Sequence, residues 1–178
     1  MKRMLTIMMT VPMLGLANVA RASEAGSSAS VGSRFGRPGT AAATAHYEGD
    51  VGFANTRTRS GDVSLARGVA LGLDDDGLSL SVSHAVGNRA GLNYAGNLNL
   101  SIGTGGQVAV SGGNAVSFGP TYSSAEAGGT TGIGRSGPIA ISTAAGNSDR
   151  LGFVRTRTHA ETSRSPQPIR RVGKAFRR

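Results

Sequence analysis

The stretch DVSLARGVALGLDDDGLSLSVSHAV, residues 62–86, alternates apolar residues with small or polar ones through two consecutive runs. Large apolar residues stand at every second position: Val63, Leu65, Val69, Leu71, Leu73, Leu78, Leu80 and Val82. Because successive side chains of a strand point to opposite faces of a sheet, this period predicts two strands that share one apolar face. The Asp74-Asp75-Asp76-Gly77 segment between the runs predicts a hairpin turn. We expect the apolar face, including Leu80, to be buried as the core.

A second hairpin is predicted downstream, in residues 97–111. Leu98, Leu100 and Ile102 share one face of the first run, and Val108 and Val110 face them from the next run. Paired glycines at 105–106 and 112–113 are interpreted as turns, with a further short strand over 115–119. Regular alternation of this kind is not expected of a flexible glycine-rich linker.

The glycine pairs and the acidic Asp74–Asp76 cluster also raise the possibility of calcium binding. An EF-hand loop needs acidic residues at alternate positions, a glycine at the sixth and a glutamate at the twelfth, and this pattern does not follow Asp74. The glycine pairs are seven positions apart and lack the aspartate of calcium-binding β-roll repeats. We therefore predict no metal site and no cofactor.

Composition restricts the class of protein. The chain has no cysteine, which excludes disulfides, thiolate metal sites and cysteine nucleophiles. It has 28 glycines in 178 residues, about twice the typical share of ~7%, and no tryptophan. We predict a glycine-rich all-β protein that forms a single antiparallel sheet, a sandwich or a short β-solenoid, with disordered N- and C-terminal tails.

Domain boundaries follow from changes in composition along the chain. Lys2 and Arg3, the apolar run Met4–Leu16 and the small residues at Ala20 and Ala22 are typical of a secretory signal peptide over residues 1–22. Residues 23–49, rich in Ala, Ser and Gly, are predicted to be disordered because they hold few large apolar groups. Residues 50–158 are predicted as the β-rich domain. Residues 159–178 are predicted as a basic disordered tail.

An internal repeat near both ends of the β-rich region carries half of its arginines. GFANTRTRS at 52–60 and GFVRTRTHA at 152–160 share Gly-Phe and Thr-Arg-Thr at the same spacing. As strands they place Arg57 and Arg59, and likewise Arg155 and Arg157, on one face. Charges in this position protect the edge of a sheet from pairing with other chains. They also form a candidate site for a polyanion.

The C-terminal segment supplies a second candidate site for polyanions. The chain has a formal net charge of +9, and basic residues are concentrated near its C-terminus. The tail cations in this candidate site are Arg170, Arg171, Lys174, Arg177 and Arg178. Cations near a charged membrane surface contribute roughly 1 kcal/mol each, so the tail favours anionic polysaccharide, lipid headgroups or extracellular DNA as partners. The alternative is a tail that is merely solvated.

Two fragments suggest an enzyme. TAHY at 44–47 and GRSGP at 134–138 resemble the histidine and serine motifs of trypsin-like proteases, in that family's order. The serine motif lacks its aspartate and one glycine, and no third residue is identified that would orient His46. We therefore predict no catalytic residues and no enzymatic activity.

The segment LSLSVSHAVGNRA at 78–90 resembles a repeat strand of curlins, secreted subunits of amyloid fibres, followed by their Gly-Asn-x-Ala turn. Gly96-Asn97 and Gly113-Asn114-Ala115 resemble the same turn. The resemblance implies self-assembly outside the cell.

Export, the absence of a motif for chemistry and the alternating strands together indicate a non-catalytic role. We expect a structural or adhesive protein of the cell surface or extracellular matrix, located in the periplasm, at the cell surface or in the medium, with no transmembrane span after signal cleavage. The alternative is a secreted module that binds polyanions or carbohydrates through the arginine repeats and the basic tail.

Overall fold

The computed structural model describes residues 23–164, which form ten strands. The strands are β1 (Glu24–Arg34), β2 (Thr40–Glu48), β3 (Val51–Arg59), β4 (Val63–Asp74), β5 (Gly77–Asn88), β6 (Leu92–Gly103), β7 (Gln107–Phe118), β8 (Tyr122–Gly134), β9 (Gly137–Ser148) and β10 (Phe153–Arg164). Within these residues no helix is long and apolar enough to cross a membrane. The predicted signal peptide and the tail cations from Arg170 onward lie outside the described residues.

The strands form two antiparallel sheets that pack face to face. The small sheet has four strands in the order β2-β1-β8-β9, and the large sheet has six in the order β10-β7-β6-β5-β4-β3. The sequence prediction of an all-β antiparallel fold is confirmed, and of the three predicted architectures the chain adopts the sandwich. Residues 62–86 form β4, the predicted turn and β5, with Leu71 opposite Leu80 and Leu73 opposite Leu78.

The interior between the sheets is made of small residues. Its buried apolar members are alanines and one valine: Ala25, Ala29, Val31, Ala66, Ala70, Ala85, Ala95, Ala109, Ala115, Ala125 and Ala127. Buried serines and asparagines fill the remaining inward positions and bond across the gap between the sheets. Ser27 and Ser81 share a hydrogen bond of 2.8 Å, and Asn97 Nδ2 donates to the carbonyl of Gly128 at 2.6 Å. The two sheets are therefore joined by polar contacts as well as by packing.

The large apolar residues lie on the other face of the large sheet, toward solvent, which we call the outer face. Leu65, Leu73 and Leu98 are exposed, and Leu80 and Leu100 are partly exposed. The alternating residues do form strands that share one apolar face, as predicted. The expectation that this leucine face is the buried core is wrong. The alternate residues of these strands, which point inward, are Ser, Ala, Gly and Asn. Their small volumes let the two sheets approach closely.

Glycines set this close approach at several inward positions of the strands. A Cβ on Gly68 would meet the carbonyl oxygens of Thr44 and Ser28, and a Cβ on Gly129 would meet the Asn99 side chain. Gly106, with φ of 75°, occupies the β6–β7 turn as predicted. Gly112 and Gly113 instead lie inside β7, and Gly96 inside β6, so the interpretation of these glycines as turns is wrong.

Two predicted boundaries also change. Residues 23–49, predicted to be disordered, contain β1 and β2, because their alanines and serines suit an interior that only small side chains can enter. The predicted tail from residue 159 also begins inside a strand, since β10 continues to Arg164 along β7. Low apolar content therefore failed as a sign of disorder in a fold whose core is itself built from small residues.

Candidate functional site

The two arginine repeats occupy the two edges of the large sheet. GFANTRTRS contributes β3 and GFVRTRTHA contributes β10, the first and last strands in the sheet order. Arg57, Arg59, Arg155 and Arg157 all lie on the outer face, in register with outward residues of β4 and β7. The structure thus brings the four predicted arginines onto a single face, at opposite edges of one sheet.

Strand register aligns these arginines in two rows that cross the sheet. The first row, which we call the arginine row, runs through Arg57, Arg67, His84, Gly96, Asn114 and Arg157. The second row runs through Arg59, Leu65, Val86, Tyr94, Val116 and Arg155. With strands about 4.8 Å apart, each row spans roughly 24 Å between its terminal arginines. The arginine row therefore places cationic and polar groups along the full width of the outer face.

Sequence reasoning missed the middle of the arginine row. Arg67 alternates in phase with Leu65 and Val69, which is the signal that could have placed it on the same face as Arg57. The His84 and Tyr94 rings lie 5.5 Å apart between centroids. Gly96 leaves room for this pair, because a Cβ there would lie 2.8 Å from the Tyr94 hydroxyl and 3.0 Å from the His84 ring. This pair therefore bridges the arginine row, which holds His84, and the second row, which holds Tyr94, near the middle of the outer face.

Apolar rows cover the outer face on both sides of the arginine row. On one side, a row joins Phe53, Leu71, Leu80, Leu100 and Val110, and the next row joins Val51, Leu73, Leu78, Ile102 and Val108. On the other side, Leu65, Val86, Tyr94 and Val116 fill the middle of the second row. Beyond the second arginine-ended row, Phe118 stacks on Phe153 with ring centroids 6.1 Å apart. The outer face is therefore a largely apolar surface crossed by a band of cations.

The residues of the protease-like fragments lie on different elements. His46 is on the outward side of β2, with its Nε2 atom 3.8 Å from a carboxylate oxygen of Glu24. Ser136 lies in the turn that connects β8 to β9. His46 shares its cross-strand row with Gly26, Thr130 and Ile141, whereas Ser136 lies past the end of β8, away from that row along the strand.

The acidic cluster forms the turn that its sequence position predicted. One carboxylate oxygen of Asp74 accepts hydrogen bonds from the backbone N–H groups of Asp76 and Gly77, at 2.9 and 3.1 Å. Gly77 has φ of 143°, a conformation that glycine adopts without a side-chain penalty. Asp74 therefore stabilises the β4–β5 hairpin.

A polar groove of about 600 Å³ lies on the outward side of the small sheet. Its lining includes Ser30, Arg34, Arg37, Tyr122, Glu126 and Asn147. The two arginines stand in and beside the β1–β2 connection, whereas Glu126 lies inside β8. The groove therefore offers cationic donors near one end of the sandwich.

Comparison with known proteins identifies no relative: neither a family model, nor a curated protein, nor a solved structure matches this chain.

Proposed function

We propose that this protein is a non-catalytic adhesive protein of the cell surface or extracellular matrix, and that the outer face of the large sheet is its contact surface. The single observation that supports this proposal is the orientation of the sheet, which directs alanine and serine inward and leucine, valine and phenylalanine toward solvent. A protein that kept this face in water would lose the free energy that burial of these side chains provides.

The size of the outer face supports a role in contact. The face measures about 24 Å across the six strands and roughly 33 Å along them, which is five spacings between rows. Its area is therefore on the order of 800 Å². This area includes the arginine row. The apolar rows that make up the rest are of the order of the largest apolar patch on a typical soluble monomer, about 300–600 Å², which is often functional. The area of the whole face is comparable with one partner's share of a standard protein interface, about 800 Å². We propose attachment to apolar surfaces through this face.

Adsorption from solution tests the proposal. The full chain is passed over alkyl-coated and hydroxyl-coated sensors in a quartz crystal microbalance, together with the Leu98→Ser/Ile102→Ser variant. We expect stronger retention on the alkyl surface, and a severalfold loss of that retention in the variant. Ile139→Ser/Ile141→Ser is the matched control, because both isoleucines are exposed on the small sheet. Equal retention on both sensors, or equal losses in the two variants, would exclude the outer face as the adhesive surface.

A second candidate function, binding of an anionic polymer, is favoured by the arginine row. Arg57, Arg67 and Arg157 lie in one cross-strand row on a sheet face, so a linear polyanion could follow the row. On an immobilised sulfated polysaccharide, we expect Arg57→Gln/Arg67→Gln/Arg157→Gln to weaken binding and flatten its salt dependence. Arg135→Gln, in the β8–β9 turn, is the control for general charge. Unchanged binding in the triple variant would leave edge protection as the role of the repeats.

A further inference from the structure

We propose a second binding site, at one end of the sandwich, that docks on an anionic lipid surface. The connections at residues 35–39, 60–62, 89–91, 119–121 and 149–152 all lie at this end, which we call the loop end. Hydrogen bonds between their backbones join them into one platform: Gly39 N–H donates to Gly61, Arg89 N–H to Asp62, and Gly119 N–H to Gly91. The loop end is separate from the outer-face residues invoked above, so the two proposals stand independently.

Two large apolar side chains project from the loop end into solvent. Phe35 is 77% exposed and Leu151 is 85% exposed, the highest values among the exposed large apolar residues of the described chain. Their neighbours in sequence are cations: Arg34 and Arg37 flank Phe35, and Arg150 precedes Leu151. Apolar tips beside cations suit a lipid interface, where the tips enter the hydrocarbon boundary and the guanidinium groups meet anionic headgroups.

A carboxylate clamp holds both tips on the same support. Phe35 N–H donates to the carbonyl of Thr121 at 2.9 Å, and Thr121 N–H donates to Asp149 Oδ2 at 2.6 Å. Leu151 N–H donates to the other carboxylate oxygen, Oδ1, at 3.2 Å. Asp149 therefore connects the β1–β2 loop to the β9–β10 loop through Thr121. Because these hydrogen bonds already hold the two loops in place, little conformational entropy is lost when the tips bind.

The acids at the loop end are engaged, which leaves the flanking cations free to act on a partner. Asp62 lies 3.5 Å from the Arg89 guanidinium, and Asp149 accepts the backbone donors of the clamp. Exposed Arg34, Arg37 and Arg150 make no ion pair among the described residues. Arg34 and Arg37 also line the polar groove of about 600 Å³, which offers space for a headgroup next to these arginines.

The opposite end of the sandwich has the opposite charge. Its β2–β3 and β4–β5 connections and their flanks carry Glu48, Asp50, Asp74, Asp75 and Asp76, which outnumber Arg135 in the β8–β9 turn at the same end. An anionic surface repels that end and attracts the loop end, so the charge distribution orients the molecule with its tips toward the lipid. A second copy of the loop end would instead bring like charges together.

Lipid fits the loop end better than it fits the outer face. On the outer face the arginine row lies between apolar rows, so flat insertion would place Arg67 in hydrocarbon at a large desolvation cost. At the loop end the arginines flank the tips and remain at headgroup level. The combination of exposed tips and adjacent cations therefore identifies the loop end as the part of the molecule that meets a membrane surface.

Vesicle flotation tests this inference with the full chain. We expect binding to vesicles of 70% phosphatidylcholine and 30% phosphatidylglycerol, and weak binding to pure phosphatidylcholine. Phe35→Ser/Leu151→Ser is expected to reduce binding roughly tenfold or more, because both tips lose their apolar burial. Arg34→Gln/Arg37→Gln/Arg150→Gln is expected to reduce it by roughly fivefold per arginine in the anionic vesicles only. Leu98→Ser/Ile102→Ser is the control for the outer face.

A fluorescence measurement reports insertion of the tip directly. The chain contains no tryptophan, so Phe35→Trp introduces a single reporter at the loop end. We expect a blue shift on addition of anionic vesicles and quenching by lipids brominated along the acyl chain. Phe53→Trp, on β3 of the outer face, is the matched reporter and should show neither change.

Each result separates this inference from the proposed adhesive function. Lipid binding lost in the tip variant but kept in the outer-face variant supports the loop end, whatever the alkyl sensor shows. Lipid binding lost only in the outer-face variant overturns it. If the protein binds soluble heparin through Arg34, Arg37 and Arg150 but does not bind vesicles, the inference is also overturned. A soluble polyanion would then be the partner of the loop end.

Discussion

In the large sheet the small and polar residues face the interior and the large apolar residues face solvent, which reverses the arrangement of an ordinary sandwich. Neighbours along β6 show the contrast: Asn99 is fully buried between the sheets, whereas Leu98 is 52% exposed. An alternating strand has two faces, and its period does not specify which face is covered. Side-chain volume and hydrogen-bonding capacity, together with the partner sheet, therefore decide which face becomes the core.

Removal of the central polar residue of the interior should have the largest effect on stability. Asn99 Nδ2 donates to Ser142 at 2.8 Å and to the Ile141 carbonyl at 3.1 Å, and Ser81 donates to Asn99 Oδ1 at 2.6 Å. We expect Asn99→Ala to lower the free energy of unfolding by about 3 kcal/mol, because it leaves several buried groups without partners. Urea denaturation measures the change. A loss no greater than that of a surface substitution would contradict a polar core.

Overpacking of the interior should have the next largest effect. A Cβ at Gly129 would meet the Ile141 carbonyl and the Asn99 side chain, so Gly129→Ala forces the two sheets apart. We expect a loss of about 2 kcal/mol, within the usual range for overpacked cores. Gly105→Ala is the control, because a Cβ at that exposed turn position meets nothing within 4 Å. Similar melting temperatures for both variants would show that the sheets tolerate a wider spacing.

Acid should weaken the loop end before it weakens the interior, which has few titratable groups. The backbone N–H of Thr121 lowers the pKa of Asp149, and the N–H groups of Tyr122 and Leu151 add to this effect. A carboxylate with a lowered pKa contributes stability above about pH 4, the ordinary value, and loses it as the pH falls through the folded-state pKa. We expect Asp149→Asn to melt below the unmodified chain at pH 7. The difference should shrink at pH 3, and a constant difference would contradict the clamp.

The smallest effect is expected on the outer face. Leu98→Ser should change the free energy of unfolding by less than about 0.5 kcal/mol, as is usual for exposed positions. Urea denaturation of this variant and of Asn99→Ala measures the two faces of β6 at adjacent residues. A loss of several kcal/mol for Leu98→Ser would mean that the leucine face is covered in solution, for example by a second copy.

Sequence alone predicted the strands of the large sheet more accurately than those of the small sheet. The alternation of leucine and valine located β4, β5 and β6, because period two survives whichever face is buried. It missed β1 and β2, where alanine and serine offer no contrast in hydrophobicity between the two faces. Composition therefore suggested disorder for a segment that lies at the centre of the interior contacts.

The candidate site was predicted in part. The repeats identified Arg57 and Arg157, but strand order was needed to show that Arg67 and His84 lie between them. The loop end could not be predicted, because Phe35 and Leu151 are far apart in sequence and are joined only through Thr121 and Asp149. Contacts of this kind depend on which strands cross between the sheets, which local sequence does not specify.

The small polar interior also has a thermodynamic consequence. Exposure of apolar surface on unfolding raises heat capacity, whereas exposure of polar surface lowers it, and globular proteins average about 12–15 cal/mol/K per residue. Here unfolding exposes serine, asparagine and alanine, while much of the leucine surface is already hydrated. The heat-capacity change on unfolding is expected to fall below that average, and the curve of stability against temperature to be correspondingly flat. Such a protein would weaken less on cooling than one held together by a leucine core.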